Sequence, residues 1–128
     1  MNWLFEEQFR ISCDFAGHLR RIPPSQAPGI DIAAKAGTVI RAPAGGKVLD
    51  VRWSEAGGLN LWIAHAGNVQ TYYAHLQCVF VGRGQLVEEG QQIGKVGATG
   101  HCTGPHLHFS VKRGGVWVNP APVLEPKA

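Results

Sequence analysis

The stretch KVLDVRWSEAGGLNLWIAHAGNVQTYYAHL, residues 47–76, decides the fold class of this chain. Apolar and polar residues alternate over 47–53, which is the two-residue period of a half-buried β-strand. Glycine-containing turns separate this run from the next two, 59–65 and 69–74, and such turns are typical of β-hairpins. The stretch therefore predicts neighbouring antiparallel strands.

The same pattern extends over most of the chain, with further short strands predicted at 38–41, 107–112 and 116–118. Between 81 and 100, glycine recurs every few residues. Tight turns between short strands explain these glycines, and no βαβ unit accompanies them, so a phosphate-binding loop is excluded. Residues 1–28 are expected to be irregular, because their apolar spacing is loose and prolines interrupt them. We predict one all-β, strongly β-rich domain.

The composition narrows the functional classes. The chain has 128 residues, 45% of them apolar, and its 17 glycines and 8 prolines favour a turn-rich β protein over a helical bundle. The formal net charge is +3, and the lysine and arginine residues are scattered along the sequence. They form no basic stripe of the kind that indicates nucleic-acid binding. No apolar run approaches the roughly 20 residues of a membrane span. The first residues lack the pattern of a secretory signal, so we expect no signal peptide in this chain.

Three cysteines, Cys13, Cys78 and Cys102, cannot all pair within one chain, and their spacing matches no zinc-finger pattern. We interpret them as small, partly buried side chains.

The sharpest chemical feature is His106-Leu107-His108. On a strand, alternate side chains share a face, so both imidazoles project together while Leu107, Phe109 and Val111 face the core. Two imidazoles about 7 Å apart on one face can share a metal ion. Alternatively, one binds metal while the other moves protons. The competing interpretation is a pair of solvent-facing histidines on an edge strand.

Two further residues are candidates for the same chemistry. Asp31 is the lone acid in the apolar run 29–33, and a buried carboxylate needs a partner. It can equally cap a turn after Pro28. His75 follows the predicted strand 69–74, where an imidazole can line a cleft or form structural hydrogen bonds. His65, at the end of another strand, is interpreted as structural.

Three motifs occur in a fixed order: Gly29-x-Asp31, Tyr73-Ala74-His75-Leu76 and Gly104-Pro105-His106-Leu107-His108-Phe109. With the glycine-rich stretch 81–100 between the last two, this combination resembles the M23 family of zinc metallopeptidases, also called LytM or lysostaphin-like peptidases. The resemblance extends over about residues 11–120. It implies a single peptidase domain, 1–128, whose antiparallel sheets form an open groove. It also implies an endopeptidase that cuts the stem or cross-bridge peptides of peptidoglycan.

The resemblance also assigns roles to individual residues. It implies that Asp31 and His108 bind zinc and that His75 and His106 are the catalytic histidines. Zinc lowers the pKa of a bound water to near 7, and a neighbouring imidazole can take the proton. The expected partner is bacterial peptidoglycan, in the cell wall, the periplasm or outside the cell. A phage-borne lysin fits the same description.

One position departs from the family pattern His-x-Gly-x-Asp. Here the stretch is Ala27-Pro28-Gly29-Ile30-Asp31, and Ala27 has no donor atom in its side chain. Because a catalytic zinc site normally uses three protein ligands, we expect weakened zinc binding and impaired activity.

Several alternatives to impairment follow from Ala27. The chain can be a non-catalytic peptidoglycan-binding module or a regulator of a partner wall hydrolase. It can be an engineered, inactivated variant. A substitute ligand can come from His18, His101 or Cys102, or from another loop histidine if the alignment is shifted. A carrier module of the biotin type is a weaker rival, since only Lys47 lies near a suitable turn.

Overall fold

The structure is a computed structural model that describes residues 1–21 and 27–124. Within these residues lie ten strands, one short α-helix and one 3₁₀ turn. No helix in the described part of the chain is long and apolar enough to cross a membrane. The elements are β1 (Ile11–Cys13), α1 (Phe15–Arg21), β2 (Ile30–Ile32), β3 (Val39–Arg41), β4 (Gly46–Ser54), β5 (Gly58–His65), β6 (Val69–Val79), β7 (Leu86–Val87), β8 (Gln92–Val96), β9 (Leu107–Arg113), β10 (Val116–Val118) and the 3₁₀ turn Ala121–Val123.

The strands form one sheet in the order β1-β2-β9-β6-β5-β4-β7, and every pairing is antiparallel. β10 extends the sheet beside β9, while β8 pairs with both β6 and β3. The predicted hairpin series is β4, β5 and β6, and the prediction of an antiparallel β-rich fold is confirmed.

The core is built from the alternating positions that the sequence indicated. In β9, the side chains of Leu107, Phe109 and Val111 are fully buried. In β2, Ile30 and Ile32 are fully buried as well. Because side chains alternate across a strand, Asp31 and His108 project from the opposite face. Both are nevertheless largely shielded from solvent, at 7% exposure each.

The N-terminal region differs from the prediction that residues 1–28 are irregular. Leu4 and Phe5 belong to the core, β1 pairs with the edge of β2, and α1 follows directly. Asp14 explains where the helix begins, since its carboxylate accepts the backbone N–H of Gly17 at 2.7 Å, as an N-cap does. The helix ends at Arg21, so it precedes Pro23 and Pro24, which lie outside the described residues.

β6 changes partner halfway along its length. It pairs with β9 up to Ala74, opposite His108, and with β8 from Leu76 onward. Against β5, Leu76 pairs with Leu59 and Tyr73 pairs with Leu61. Three residue steps along β6 therefore match two along β5, which defines a β-bulge. The predicted strand-end position of His75 was therefore wrong. His75 lies at the bulge, inside an eleven-residue strand, with a backbone φ of 64°.

Candidate active site

Asp31 and His108 face each other as a register pair of β2 and β9. His108 Nδ1 lies 3.1 Å from Asp31 Oδ1. The other ring nitrogen, Nε2, lies 2.8 Å from the backbone carbonyl of Ala27, to which it donates its proton. In the neutral ring, the lone pair of Nδ1 then points at a carboxylate oxygen, an arrangement that requires a proton or a metal ion between the two.

Gly29 allows the segment before β2 to pass this close to β9. A Cβ atom at position 29 would lie 2.1 Å from the backbone oxygen of Phe109. Ser110 supports the same region, since its hydroxyl lies 3.0 Å from His108 Nε2 and donates to the Ala27 carbonyl at 3.3 Å. Position 27 therefore contributes a backbone oxygen that orients His108.

His18, on α1, contacts the same carboxylate oxygen. Its Nε2 atom lies 3.0 Å from Asp31 Oδ1, and its ring centroid is 4.7 Å from that of His108. Only 4% of the residue is exposed. Its Nδ1 atom has no hydrogen-bond partner among the described residues. The sequence offered His18 as one of several substitute ligands, and the structure brings it into the site.

The two proposed catalytic histidines border this group. His106 Nε2 lies 3.6 Å from Asp31 Oδ1, and His106 Nδ1 lies 3.0 Å from the carbonyl of Gly104. His75 Nδ1 lies 2.7 Å from the carbonyl of Thr99. The ring centroids of His75 and His106 are 4.9 Å apart. Since each Nδ1 is engaged by a backbone carbonyl, each Nε2 is the nitrogen that remains for chemistry.

The electrostatics follow from burial and from these contacts. Burial alone would raise the pKa of Asp31, but hydrogen bonds from His108 and His18, together with their positive charge, hold it well below 3.8. The carboxyl is therefore ionised. Burial lowers the pKa of His75 below 6.5, against the opposing effect of its hydrogen bond to Thr99. His75 is thus a neutral imidazole near pH 7, able to accept a proton.

The residues present fit a zinc ion. Two imidazole nitrogens and one carboxylate oxygen, all buried, are a donor set that catalytic zinc sites use. His108 Nδ1 points at Asp31 Oδ1 while its Nε2 donates to the Ala27 carbonyl, so a neutral His108 ring leaves a lone pair facing the carboxylate. A metal ion between the two groups relieves this conflict, as a proton on the ring also does.

The remaining candidates have other positions. His101 is exposed, and it belongs to none of the metal-capable groups within the described ranges. Cys102 lies beside His106, with Sγ 3.3 Å from His106 Nδ1. His65 is structural, as predicted, with Nδ1 2.8 Å from the Gly45 carbonyl and Nε2 2.8 Å from the Thr71 hydroxyl. All three cysteines are partly buried.

Sequence reasoning selected Asp31, His75, His106 and His108, and the structure brings all four side chains together. It did not select His18 as a principal site residue. A usable signal was present, since Asp14 caps a short helix that carries His18 one turn after its start.

Comparisons with known proteins show which family and fold this chain shares. The sequence is 39% identical over 124 residues to the peptidoglycan DD-endopeptidase ShyC of Vibrio cholerae, covering 93% of this chain and 28% of ShyC. A crystal structure of a zinc-containing peptidase from Vibrio cholerae superposes with a TM-score of 0.76 and 34% identity, over 90% of this chain and 38% of that one.

The antimicrobial peptidase lysostaphin from Staphylococcus simulans superposes with a TM-score of 0.78 and 28% identity, over 90% of this chain and 48% of lysostaphin. The predicted lysostaphin-like fold is thereby confirmed. This chain spans about a quarter of the length of the curated relatives it matches. The family model of peptidase family M23 matches residues 25–120. The chain belongs to peptidase family M23, and the domain it contains is of the peptidoglycan-endopeptidase type.

Proposed function

We propose that this chain is a zinc-dependent endopeptidase that cuts the peptide portion of bacterial peptidoglycan, at the cell wall or in the periplasm. One observation carries the proposal: three imidazoles surround a single ionised carboxylate oxygen, with nitrogen-to-oxygen distances of 3.0, 3.1 and 3.6 Å. The peptidoglycan-endopeptidase relatives support the substrate class.

Asp31 and His108 would hold the metal ion, with a third ligand considered below. Zinc, when bound, lowers the pKa of a coordinated water toward 7 and polarises a carbonyl group. The sheet fixes both ligands, because they are a register pair flanked by buried apolar residues. Ala27 and Ser110 hold the His108 ring in the orientation that presents Nδ1 to the site.

His75 and His106 would move protons and stabilise charge. His75 is fixed by the Thr99 carbonyl and is neutral near pH 7, so its Nε2 can accept a proton from the attacking water. His106 Nε2 lies on the Asp31 side of the site, where a protonated imidazole can stabilise the oxyanion or return a proton to the leaving amine. Their ring separation of 4.9 Å lets both reach one reacting group.

An aromatic surface extends the site along the sheet. The Tyr72 ring lies 5.9 Å from His108, and the Trp62 ring lies 4.4 Å from Tyr72. Beyond Trp62 is a cleft that Arg83 and the Arg52–Asp50 ion pair also line. Aromatic faces can pack against an extended peptide and the Arg83 cation can pair with a peptide carboxylate, so we propose this surface as the substrate path.

The test is digestion of purified, cross-linked peptidoglycan fragments by the chain, followed by mass spectrometry of the products. We expect cleavage of peptide bonds without release of free glycan, inhibition by a metal chelator and recovery on adding zinc. His106→Ala should retain zinc but lose cleavage. Metal content measured beside activity separates a folded, loaded but inactive protein from an unloaded one.

Absence of cleavage by the zinc-loaded chain, on fragments with both direct and bridged cross-links, would contradict the proposal. Retained binding to those fragments would then indicate the non-catalytic alternative, a peptidoglycan-binding or hydrolase-regulating module.

A further inference from the structure

We propose that His18, on helix α1, is the third metal ligand of this domain and replaces the side chain that position 27 lacks. The inference rests on the proposed zinc site and adds to it a ligand from a different part of the fold. If His18 is the third ligand, the site has three protein ligands although Ala27 has no donor atom. The expectation of weakened zinc binding then no longer applies.

The position of the ring is the first argument. His18 Nε2 is 3.0 Å from Asp31 Oδ1, and His108 Nδ1 is 3.1 Å from the same oxygen. Two imidazole nitrogens, a ligand type that zinc prefers, thus each lie about 3 Å from the same carboxylate oxygen. Position 27 contributes only its carbonyl, which is already engaged by His108.

Burial is the second argument. His18 is 4% exposed, whereas the adjacent Leu19 is 58% exposed. A short surface helix normally buries its leucine and exposes its histidine, and burying an imidazole without full hydrogen bonding is costly. His18 Nδ1 has no hydrogen-bond partner among the described residues. The inverted arrangement is explained if the imidazole is held inward to bind a metal ion.

The local fold shows how the ring is held. β1 ends at Cys13, which pairs with Asp31 of β2, and the helix begins two residues later with Asp14 as its cap. The backbone N–H of His18 donates to the carbonyl of Asp14 at 3.1 Å. The ligand on the helix is therefore tied to the strand that carries Asp31.

Cys13 is the competing candidate. Ligand atoms of Cys13, His18 and Asp31 all lie within 4.8 Å of one another. A thiolate is a good zinc ligand, so the experiment must separate Cys13 from His18. Both side chains can be changed individually, and the exposed His101 supplies a matched histidine control.

The experiment measures zinc affinity by competition with a chromophoric chelator and zinc content after dialysis. The proteins are the full chain and the variants His18→Ala, His18→Gln, Cys13→Ser and His101→Ala. We expect one zinc per wild-type chain. Both His18 variants should lose more than about 100-fold in zinc affinity, because loss of even a supporting group costs about 10–100-fold. The other two variants should stay within about threefold of the wild type, well under the cost of a lost supporting group.

Folding is checked by thermal unfolding in the presence of chelator. His18→Gln keeps a polar side chain of similar size, so it guards against a collapsed helix in His18→Ala. Zinc affinity within about threefold of the wild type in a folded His18 variant would overturn the inference. So would loss of zinc in Cys13→Ser alone, or a wild-type chain that retains no zinc. Zinc that depends on His18 in a chain that cuts no peptidoglycan would leave the ligand assignment standing and reject the proposed function.

Discussion

The two halves of the candidate metal site are built in different ways. Asp31 and His108 lie on paired strands inside the sheet, between fully buried isoleucine, leucine and phenylalanine side chains. His18 lies on a seven-residue helix that directly follows the three-residue strand β1. We call these the strand half and the helix half of the site.

The difference shows which metal ligands can change their position in the sequence while the fold stays the same. A strand residue cannot shift by one position without turning its side chain to the opposite face, so Asp31 and His108 are fixed by register. A ligand on a preceding segment has no such restriction, because loops and short helices vary in length and course. The strand half accordingly keeps the family motifs, while the helix half can supply its imidazole from position 18 instead of position 27.

The largest effect is expected from Asp31→Asn, which removes the charge shared by both halves. We expect loss of more than about 100-fold in zinc affinity and a comparable loss of peptidoglycan cleavage, because the amide keeps the shape of the carboxylate but not its charge. Zinc competition and digestion assays measure both. Retention of near wild-type zinc affinity would show that Asp31 is not a ligand. It would then contradict the proposal that the strand half and the helix half meet at the Asp31 carboxylate.

Gly29→Ala tests the strand half through its backbone. The added Cβ would meet the Phe109 backbone oxygen at 2.1 Å, so β2 and β9 must separate. We expect a loss of about 2–3 kcal/mol in the free energy of unfolding. Chemical denaturation measures it, with Gly82→Ala as the control, since a Cβ there meets nothing within 4 Å. Equal stability of the two variants would show that the strand half is less tightly fixed than its register indicates.

Ser110→Ala tests how His108 is oriented. The variant removes a hydroxyl 3.0 Å from His108 Nε2 but leaves the Ala27 carbonyl in place. We expect zinc affinity to fall by about tenfold, the lower end of the range for supporting groups. Ser54→Ala, on β4, serves as the control, and an unchanged affinity in Ser110→Ala would assign the orientation of the ring to Ala27 alone.

The smallest effect concerns His65, a scaffold histidine outside both halves. Burial lowers its pKa below 6.5, partly opposed by the Gly45 carbonyl. As pH falls below about 6.5, the unfolded chain therefore binds a proton that the folded chain resists, and stability declines. In chelator, His65→Gln should lose less stability on acidification than the wild type, measured by denaturation across that range. An unchanged slope would exclude His65 as a source of the acid sensitivity.

Much of this molecule is predictable from sequence because periodicity and turn residues are local signals. Alternation over 47–76 predicts β4, β5 and β6, and His-x-His on a strand predicts two imidazoles on one face. The grouping of Asp31 with the histidines depended on the family resemblance, since the β2–β9 pairing joins residues 77 positions apart. No local pattern specifies such a pairing.

Two features, the helix that carries His18 into the site and the bulge at His75, were not predicted, for physical reasons. His18 lies in a segment whose apolar spacing is irregular, because its helix buries an imidazole and exposes a leucine. The bulge at His75 arises where β6 leaves β9 for β8, and that exchange of partners is decided by the whole sheet. Both involve tertiary contacts that override local preference.

The bulge at His75 affects how selection for thermal stability would act on this domain. His75 adopts a left-handed backbone conformation, which costs a side-chain-bearing residue about 1–2 kcal/mol and costs glycine almost nothing. Selection for thermal robustness alone would therefore favour glycine at this position and discard the imidazole proposed to move the proton. Strain and chemistry are opposed at a single residue, so this domain holds a trade-off between stability and activity in the backbone of one strand.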